Sequence, residues 1–473
     1  MISGVSHSPL NGRLTTMDLT RPRRSYEDAK PQNGSNHWCS SENNSNNARN
    51  VNFGSGNTNN NNKYNQNVVR PVVALGDYVP AAFVESVWEA YHDCLRGKMR
   101  SSEALEYMSK ATEDIPRLAK ELWNGAYKPT TSTCFLVKYP KLREVFAANF
   151  RDRIVHHWIC LRLNPLFENR FFMQGNVSFN CRSGFGVDKA VAHVARGIKM
   201  VSHDYQREAW VFRGDLCGFF MSIDKDVLWE RLERFTIRRF HGDYKQILLE
   251  ATKRTIYHHP ERDCVLNSPA EWLGGLEANK SLFTARGEVG MPIGNLTTQL
   301  FANFLMSWFV SYVQFLFRHE EYCFAQFVDD FIIVAQHDSI LRAMPKIERF
   351  LEERLRLHVH KDKRYFQPVT RGVSFVGTVI KPHRLYLSNR TRARLTERCY
   401  GFRKVLNGDD VSILDLYRIE QVLNSYLGFC RRRRTYKFRK YLVNSIGENF
   451  WKYYFVRGIY NSIRLKKKYQ LTM

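Results

Sequence analysis

The stretch Cys323-Phe324-Ala325-Gln326-Phe327-Val328-Asp329-Asp330-Phe331-Ile332-Ile333-Val334 places two adjacent carboxylates between two apolar runs. Short apolar runs broken in this way predict a β-hairpin with Asp329-Asp330 at its turn. Aspartate is common in turns and helix caps, and an isolated Asp-Asp ordinarily means no more than that. In this chain, however, apolar side chains flank the pair on both sides. Like charges in an apolar hairpin are costly unless a cation joins them. A hard divalent ion suits such oxygens, since Mg²⁺ is usually held by one or two carboxylates together with phosphates.

Working outward, Ala209 to Phe212 followed by Asp215 reads as a strand that ends in a third carboxylate, and Leu216, Cys217, Gly218, Phe219 and Phe220 come next. Two ions about 3.5–4 Å apart can stabilise both the attacking and the leaving oxygen of an in-line displacement. Asp224 lies beyond that strand and reads as a helix cap. Thr133 to Val137 reads as another strand, and 150–168 as a helix with Ile154, Val155, Trp158, Ile159 and Leu163 on one face. Helical spacing also runs from Phe83 to Trp123, closed by Asn124-Gly125. Ser374 to Ile380 and Arg384 to Leu387 read as a second hairpin, and the remainder of the C-terminal part as helix.

Composition supports a nucleic-acid partner. Among 473 residues, 71 Lys and Arg face 46 Asp and Glu, a formal charge of +25. From Arg431 to Met473 there are 13 basic residues and a single acidic one, Glu448, interleaved with Tyr436, Phe438, Trp451, Tyr453 and Tyr454. Such a pattern suits a phosphate backbone with rings close by. The ten cysteines show neither a CxxC pair nor a Cys/His metal spacing, which points to reduced thiols in the cytoplasm. No signal peptide is visible, and the apolar run Phe301 to Phe317 reads as a buried helix rather than a membrane span. Residues 1–72 differ from the rest: Asn33 to Asn67 contains 15 Asn in 35 residues, too few apolar groups for a core, so disorder or weak structure is expected.

Several ordered motifs resemble those of reverse transcriptases. Phe327-Val328-Asp329-Asp330 resembles their hallmark tetrapeptide, with Phe in place of the usual Tyr, and Asp215 to Ile223 resembles their first catalytic motif. Gly290-Met291-Pro292-Ile293-Gly294-Asn295-Leu296-Thr297-Thr298-Gln299 resembles the motif between them. The resemblance covers roughly residues 80–445. It implies an α+β right hand of fingers, palm and helical thumb, here placed at 73–205, 206–390 and 391–473. It further implies catalysis by Asp215, Asp329 and Asp330 with two Mg²⁺ ions, Leu216 belonging to the metal set. Phe220 falls at the family's sugar gate, where a ring selects dNTPs; the alternative is a core Phe beside Phe219. The incoming nucleotide is expected at Arg143, Ile293, Gly294, Gln299 and Lys363, with Lys361, two residues earlier, as the alternative for the last position. Nucleic acid is expected at Arg151, Arg153, the primer-grip hairpin of Phe375 and Gly377, and the run Arg431, Arg432, Arg433 and Arg434. Arg153 has an alternative internal partner in Asp152.

Ile293-Gly294-Asn295-Leu296-Thr297-Thr298-Gln299, Phe146 to His157 and Asn424 to Gly428 resemble the reverse transcriptases of diversity-generating retroelements. That subgroup implies a template-repeat RNA copied with errors opposite adenine, a primer, and a small basic helical accessory protein. An Ile at 293 cannot hydrogen-bond a nucleotide as a Gln does. Trp38 to Pro71 resembles the variable tail of retroelement target proteins, and Asn codons begin with two adenines. On this reading the Asn-rich tract is translated template repeat, and the native start lies near Val72 to Tyr78. The competing readings are a retron or antiphage reverse transcriptase, and a palm-fold RNA-binding scaffold without catalysis.

Overall fold

Val211, Phe212, Ile332, Ile333 and Val334 are all fully buried, and they set the centre of the fold. In the computed structural model the described residues are 78–99, 101–138 and 141–470, with the backbone of 36–42, 47–52, 58–62 and 68–69. The chain divides into two compact units, Met1–Glu85 and Ser86–Met473. In the first, the strands Thr58–Asn62, Asn47–Asn52, Asn36–Glu42 and Val68–Val69 pair in that order, the last one parallel to its neighbour. The rest of the Asn-rich tract lies outside the described residues.

The second unit is built on an antiparallel sheet ordered Tyr365–Pro368, Trp210–Asp215, Asp330–Ala335, Cys323–Phe327. Both of its faces are covered, which explains why its strands are near-continuous apolar runs. One face packs Val211, Ile332 and Val334 against Val191, Val194 and Ile198 of the helix Val187–Val201. On the other face, Phe331 meets Phe212 at 5.7 Å and Phe309 of the helix Leu296–Leu316 at 4.9 Å. The apolar run 301–317 is therefore the core of this helix, and among the described residues no helix is long and apolar enough to cross a membrane. Phe304 in turn stacks on Phe167 of the long helix Phe150–Met173, with centroids 4.3 Å apart.

The remaining elements lie outside this sheet. Two helices, Ala81–Leu95 and Ser102–Trp123, occupy the segment with helical spacing, and Gly125 follows the second at φ +64. Ser132–Val137 pairs antiparallel with Arg143–Ala147 and parallel with Cys264–Leu266. The second hairpin read from the sequence is instead a meander of three strands, Val373–Phe375, Thr378–Lys381 and Arg384–Leu387. Helices Asn389–Leu406, Ile413–Arg431, Tyr436–Ser445 and Asn449–Tyr453 share their own apolar core. The C-terminal part, expected to be helical, also holds two strands. Tyr454–Arg457 and Ser462–Leu465 form a hairpin whose alternation buries Tyr454, Ile463 and Leu465 in that same core.

Candidate active site

The hairpin turn consists of Val328-Asp329, one residue earlier than the sequence suggests, and Asp330 opens the second strand opposite Phe327. Val328 sits at φ +61, a strained backbone for a β-branched residue. Buried Gln326 braces it, donating through Nε2 to the Val328 carbonyl at 3.0 Å. Asp330 also lies opposite Asp215 on the neighbouring strand, so all three carboxylates meet at one end of the sheet. They do not face the same way. Asp215 and Asp329 line a cleft of about 540 Å³ with Leu216, Phe220 and Ile293. Asp330 is absent from that lining, and its carboxylate accepts from Arg213 Nε at 2.9 Å. Burial, then the Asp215 charge, pushes the Asp329 carboxyl up to about 6. Burial raises Asp330 as well, opposed by Arg213.

Basic groups surround the two cleft carboxylates. Lys141, Arg143, Lys280 and Lys363 line the cleft, with Glu277 paired to Lys280. The Lys363 ammonium lies against the Asp215 carboxylate, whereas Lys361 does not reach the cleft. Two backbone bonds carry Lys363 there: His360 N to the Asp215 carbonyl and Cys217 N to the His358 carbonyl, each 2.8 Å. Crowding lowers the pKa of Lys141, first through burial and then through Lys363, Arg390 and Lys280. The middle motif closes the third wall, where Met291 N donates to Phe220 O and Phe146 N to Ile293 O, each 2.8 Å. Gly294 (φ +128) permits this approach, because a Cβ there would lie 2.5 Å from the Phe146 carbonyl. Both Phe219 and Phe220 line the cleft, Phe219 buried and Phe220 half-buried. Gln299 is exposed on the first turn of Leu296–Leu316 and does not line it.

Among the described residues no group of three or more His, Cys, Asp or Glu side chains is arranged as a metal cage. Two carboxylates in one cleft, with Asp329 destabilised as an anion, are nonetheless the hard-oxygen donor set that a divalent ion takes alongside phosphate. The sequence model of the family described as reverse transcriptase (RNA-dependent DNA polymerase) matches residues 138–380, just over half of the chain.

The chain belongs to the reverse transcriptase family.

Solved structures similar to this reverse transcriptase include telomerase from Candida albicans in complex with a TWJ fragment of telomeric RNA. It is 14% identical, with 70% of this chain and 61% of that chain covered and a TM-score of 0.41. Apo telomerase from Candida tropicalis is 12% identical over 68% of this chain and 62% of that chain, with a TM-score of 0.42. The chain thus spans less than two thirds of those structures' length. No curated protein matches the sequence.

Several residues expected at nucleic acid also have partners within this reverse transcriptase. Arg151 pairs with Glu121 and Arg153 with Glu103 at 2.8 Å, while Asp152 accepts from Tyr127 and Thr130. Arg433 is buried, donating to Thr378 Oγ1 at 2.8 Å and pairing with Asp188 at 3.1 Å. Arg432 also reaches Asp188, at 3.3 Å, but it stays exposed like Arg431 and Arg434. Phe375 is wholly buried in the sheet core, so the hairpin tip presents Val376 and Gly377, both at positive φ. Gly377 O accepts from Ser388 N at 3.1 Å, which ties the tip to the helix Asn389–Leu406. Asp224 caps the helix Lys225–Arg239 by accepting from Val227 N at 2.9 Å, as the sequence suggested. Arg213, Gln326 and Lys280 escaped the sequence reading. Lys280 lies in a short 3-10 segment with no periodicity to mark it, and Arg213 sits one pleat from Asp215 among apolar neighbours.

Proposed function

We propose that this chain is an RNA-directed DNA polymerase that copies a template-repeat RNA into cDNA with errors opposite adenine, for diversification of a target gene. The observation that carries the polymerase reading is the meeting of Asp215 and Asp329, distant in sequence, in one cleft ringed by Lys141, Arg143, Lys280 and Lys363. A carboxylate pair within a basic ring fits a triphosphate together with its metal ions. Asp215, Asp329 and the Leu216 carbonyl would hold two Mg²⁺ ions, which when bound stabilise charge on the reacting phosphate oxygens. Asp330, paired with Arg213, positions the strand ends. The primer 3′-oxygen bonds to the α-phosphorus as the bond to pyrophosphate breaks. Arg143, Lys280 and Lys363 receive the phosphates as bidentate or point-charge donors. Phe220 takes the flat wall beneath the sugar and excludes a 2′-hydroxyl, and Ile293 offers the base an apolar contact without a hydrogen bond. The subgroup reading rests on the Ile293-to-Gln299 motif and brings with it a small basic accessory protein and a cytoplasmic location.

Primer extension on an adenine-containing RNA with Mg²⁺, using the wild type and Asp329→Ala, tests both levels. Product from the wild type alone, with errors clustered opposite adenine, is the expected result. Accurate product would retain the polymerase and favour a retron or antiphage role. No product even with the accessory protein and native RNA would favour an RNA-binding scaffold.

A further inference from the structure

The helices Phe150–Met173, Lys225–Arg239, Leu296–Leu316 and His337–Leu355 enclose a second cavity, of about 570 Å³, that shares no residue with the catalytic cleft. Six arginines line it: Arg170, Arg231, Arg234, Arg238, Arg239 and Arg354. Glu230 is the one acidic side chain among the lining residues, and Arg234 already pairs with it at 2.7 Å. Two of the guanidiniums are held in fixed positions. Arg170 and Arg231 lie over the Trp308 ring at 4.1 and 5.3 Å. Arg170 Nε donates to Ser307 Oγ at 2.6 Å, and Arg231 Nη2 donates to the Arg354 carbonyl at 2.6 Å. Arg231 Nε is buried without a hydrogen-bond partner. Burial, then neighbouring arginines, lowers the pKa of Arg170, and Arg231 is lowered by burial ahead of its mixed-charge neighbours. Packing like charges around a concave wall is unfavourable unless an anion joins them. The polymerase chemistry described above uses none of these residues.

We propose that this cavity is a second nucleic-acid site, which takes the phosphodiester backbone of the RNA outside the catalytic cleft. Guanidinium forks match phosphate oxygens in pairs, and a rigidly stacked fork loses little freedom on binding. The arginines stacked over Trp308 compete with any base for that ring, so the cavity reads phosphate and not sequence. Free polyphosphate shares this chemistry, but a chain with a formal charge of +25 and a reverse transcriptase cleft already has a long polyanion as its template. The assignment therefore rests on the template being RNA.

The test uses the full chain and the variant Arg234→Ala/Arg238→Ala/Arg239→Ala, whose three residues are exposed on one helix. The affinity of labelled single-stranded RNA longer than the cleft is measured across salt concentrations. The expected result is affinity weaker by about tenfold or more at low salt, with a log–log salt slope shallower by about 2. Lysine at the same three positions should restore the slope. Wild-type affinity and slope in the alanine variant would overturn the proposal. Calorimetry with inorganic tripolyphosphate separates the sources: tight binding by the wild type alone, with RNA affinity unaltered by the substitutions, would assign the cavity to a small anion and overturn the RNA site. Photocrosslinking of RNA to the unsubstituted protein needs no variant to fold: crosslinks in Lys225–Arg239 support the site, and their absence counts against it. Primer extension on a short duplex reads the polymerase separately, so failure of that activity is distinguishable from failure of this site.

Discussion

Ile293 faces two environments at once. It packs with Phe146, Met221 and Leu282, and it also lines the catalytic cleft. An apolar contact separates similar ligands by only ~1–3 kcal/mol, so replacing a polar contact by Ile loosens discrimination. Ile293→Gln is expected to lower misincorporation opposite adenine by about tenfold or more, read by sequencing the cDNA. Unchanged error spectra would assign Ile293 to packing alone. At the same scale, His156 is buried, and its Nδ1 has no hydrogen-bond partner. Burial, then His258 and His157, pushes its pKa from 6.5 down to about 3. A depressed histidine stays neutral in the fold while the unfolded chain takes up a proton. Its contribution to stability is therefore intact above about 6.5 and is lost progressively as pH falls toward about 3. His156→Gln should remove about 1.4 kcal/mol per pH unit from that acid-side slope, measured by urea unfolding at several pH values.

At the scale of elements, the Arg431-to-Arg434 run is divided by burial into two kinds of residue. Arg433 bonds Thr378 of the meander and Asp188 at the start of the helix Val187–Val201, joining three elements. Arg433→Ala removes the buried cation while Arg432 stays near the half-exposed Asp188, so a loss of ~1–3 kcal/mol is expected in urea unfolding. Arg434→Ala, on an exposed side chain, should leave unfolding within ~0.5 kcal/mol of wild type. The closing hairpin makes the second case. Leu465 is fully buried among the C-terminal helices, and Leu465→Ala should cost ~2–5 kcal/mol. An effect below 1 kcal/mol would mean that the hairpin only covers a core that is already complete.

At the scale of the whole molecule, the cleft lined by Asp215 and Asp329 lies within Ser86–Met473, and the Asn-rich tract lies within the other unit. A chain beginning at Tyr78 keeps the helix Ala81–Leu95 intact and should extend primers within about twofold of the full chain. A large loss of extension would give the tract a part in polymerisation and count against its reading as translated template repeat.

The sequence by itself determined the elements that carry the candidate carboxylates, because strand, turn and cap signals are local: a continuous apolar run, a break in it, an Asp three residues before the amide it caps. It determined in the same way the hairpin bearing Asp329, the strand ending in Asp215, the buried helix around Phe304 and the Asp224 cap. Only the tertiary structure decided which charges are free. Nothing along the chain marks Arg151, Arg153 or Arg433 as paired, yet Glu121, Glu103 and Asp188 arrive from other elements to pair with them. Lys280 and Lys363 reach the cleft, and Asp330 turns to Arg213, for the same reason. The availability of these charged side chains is set by what folds against them, and for Arg151, Arg153 and Arg433 that partner is non-local.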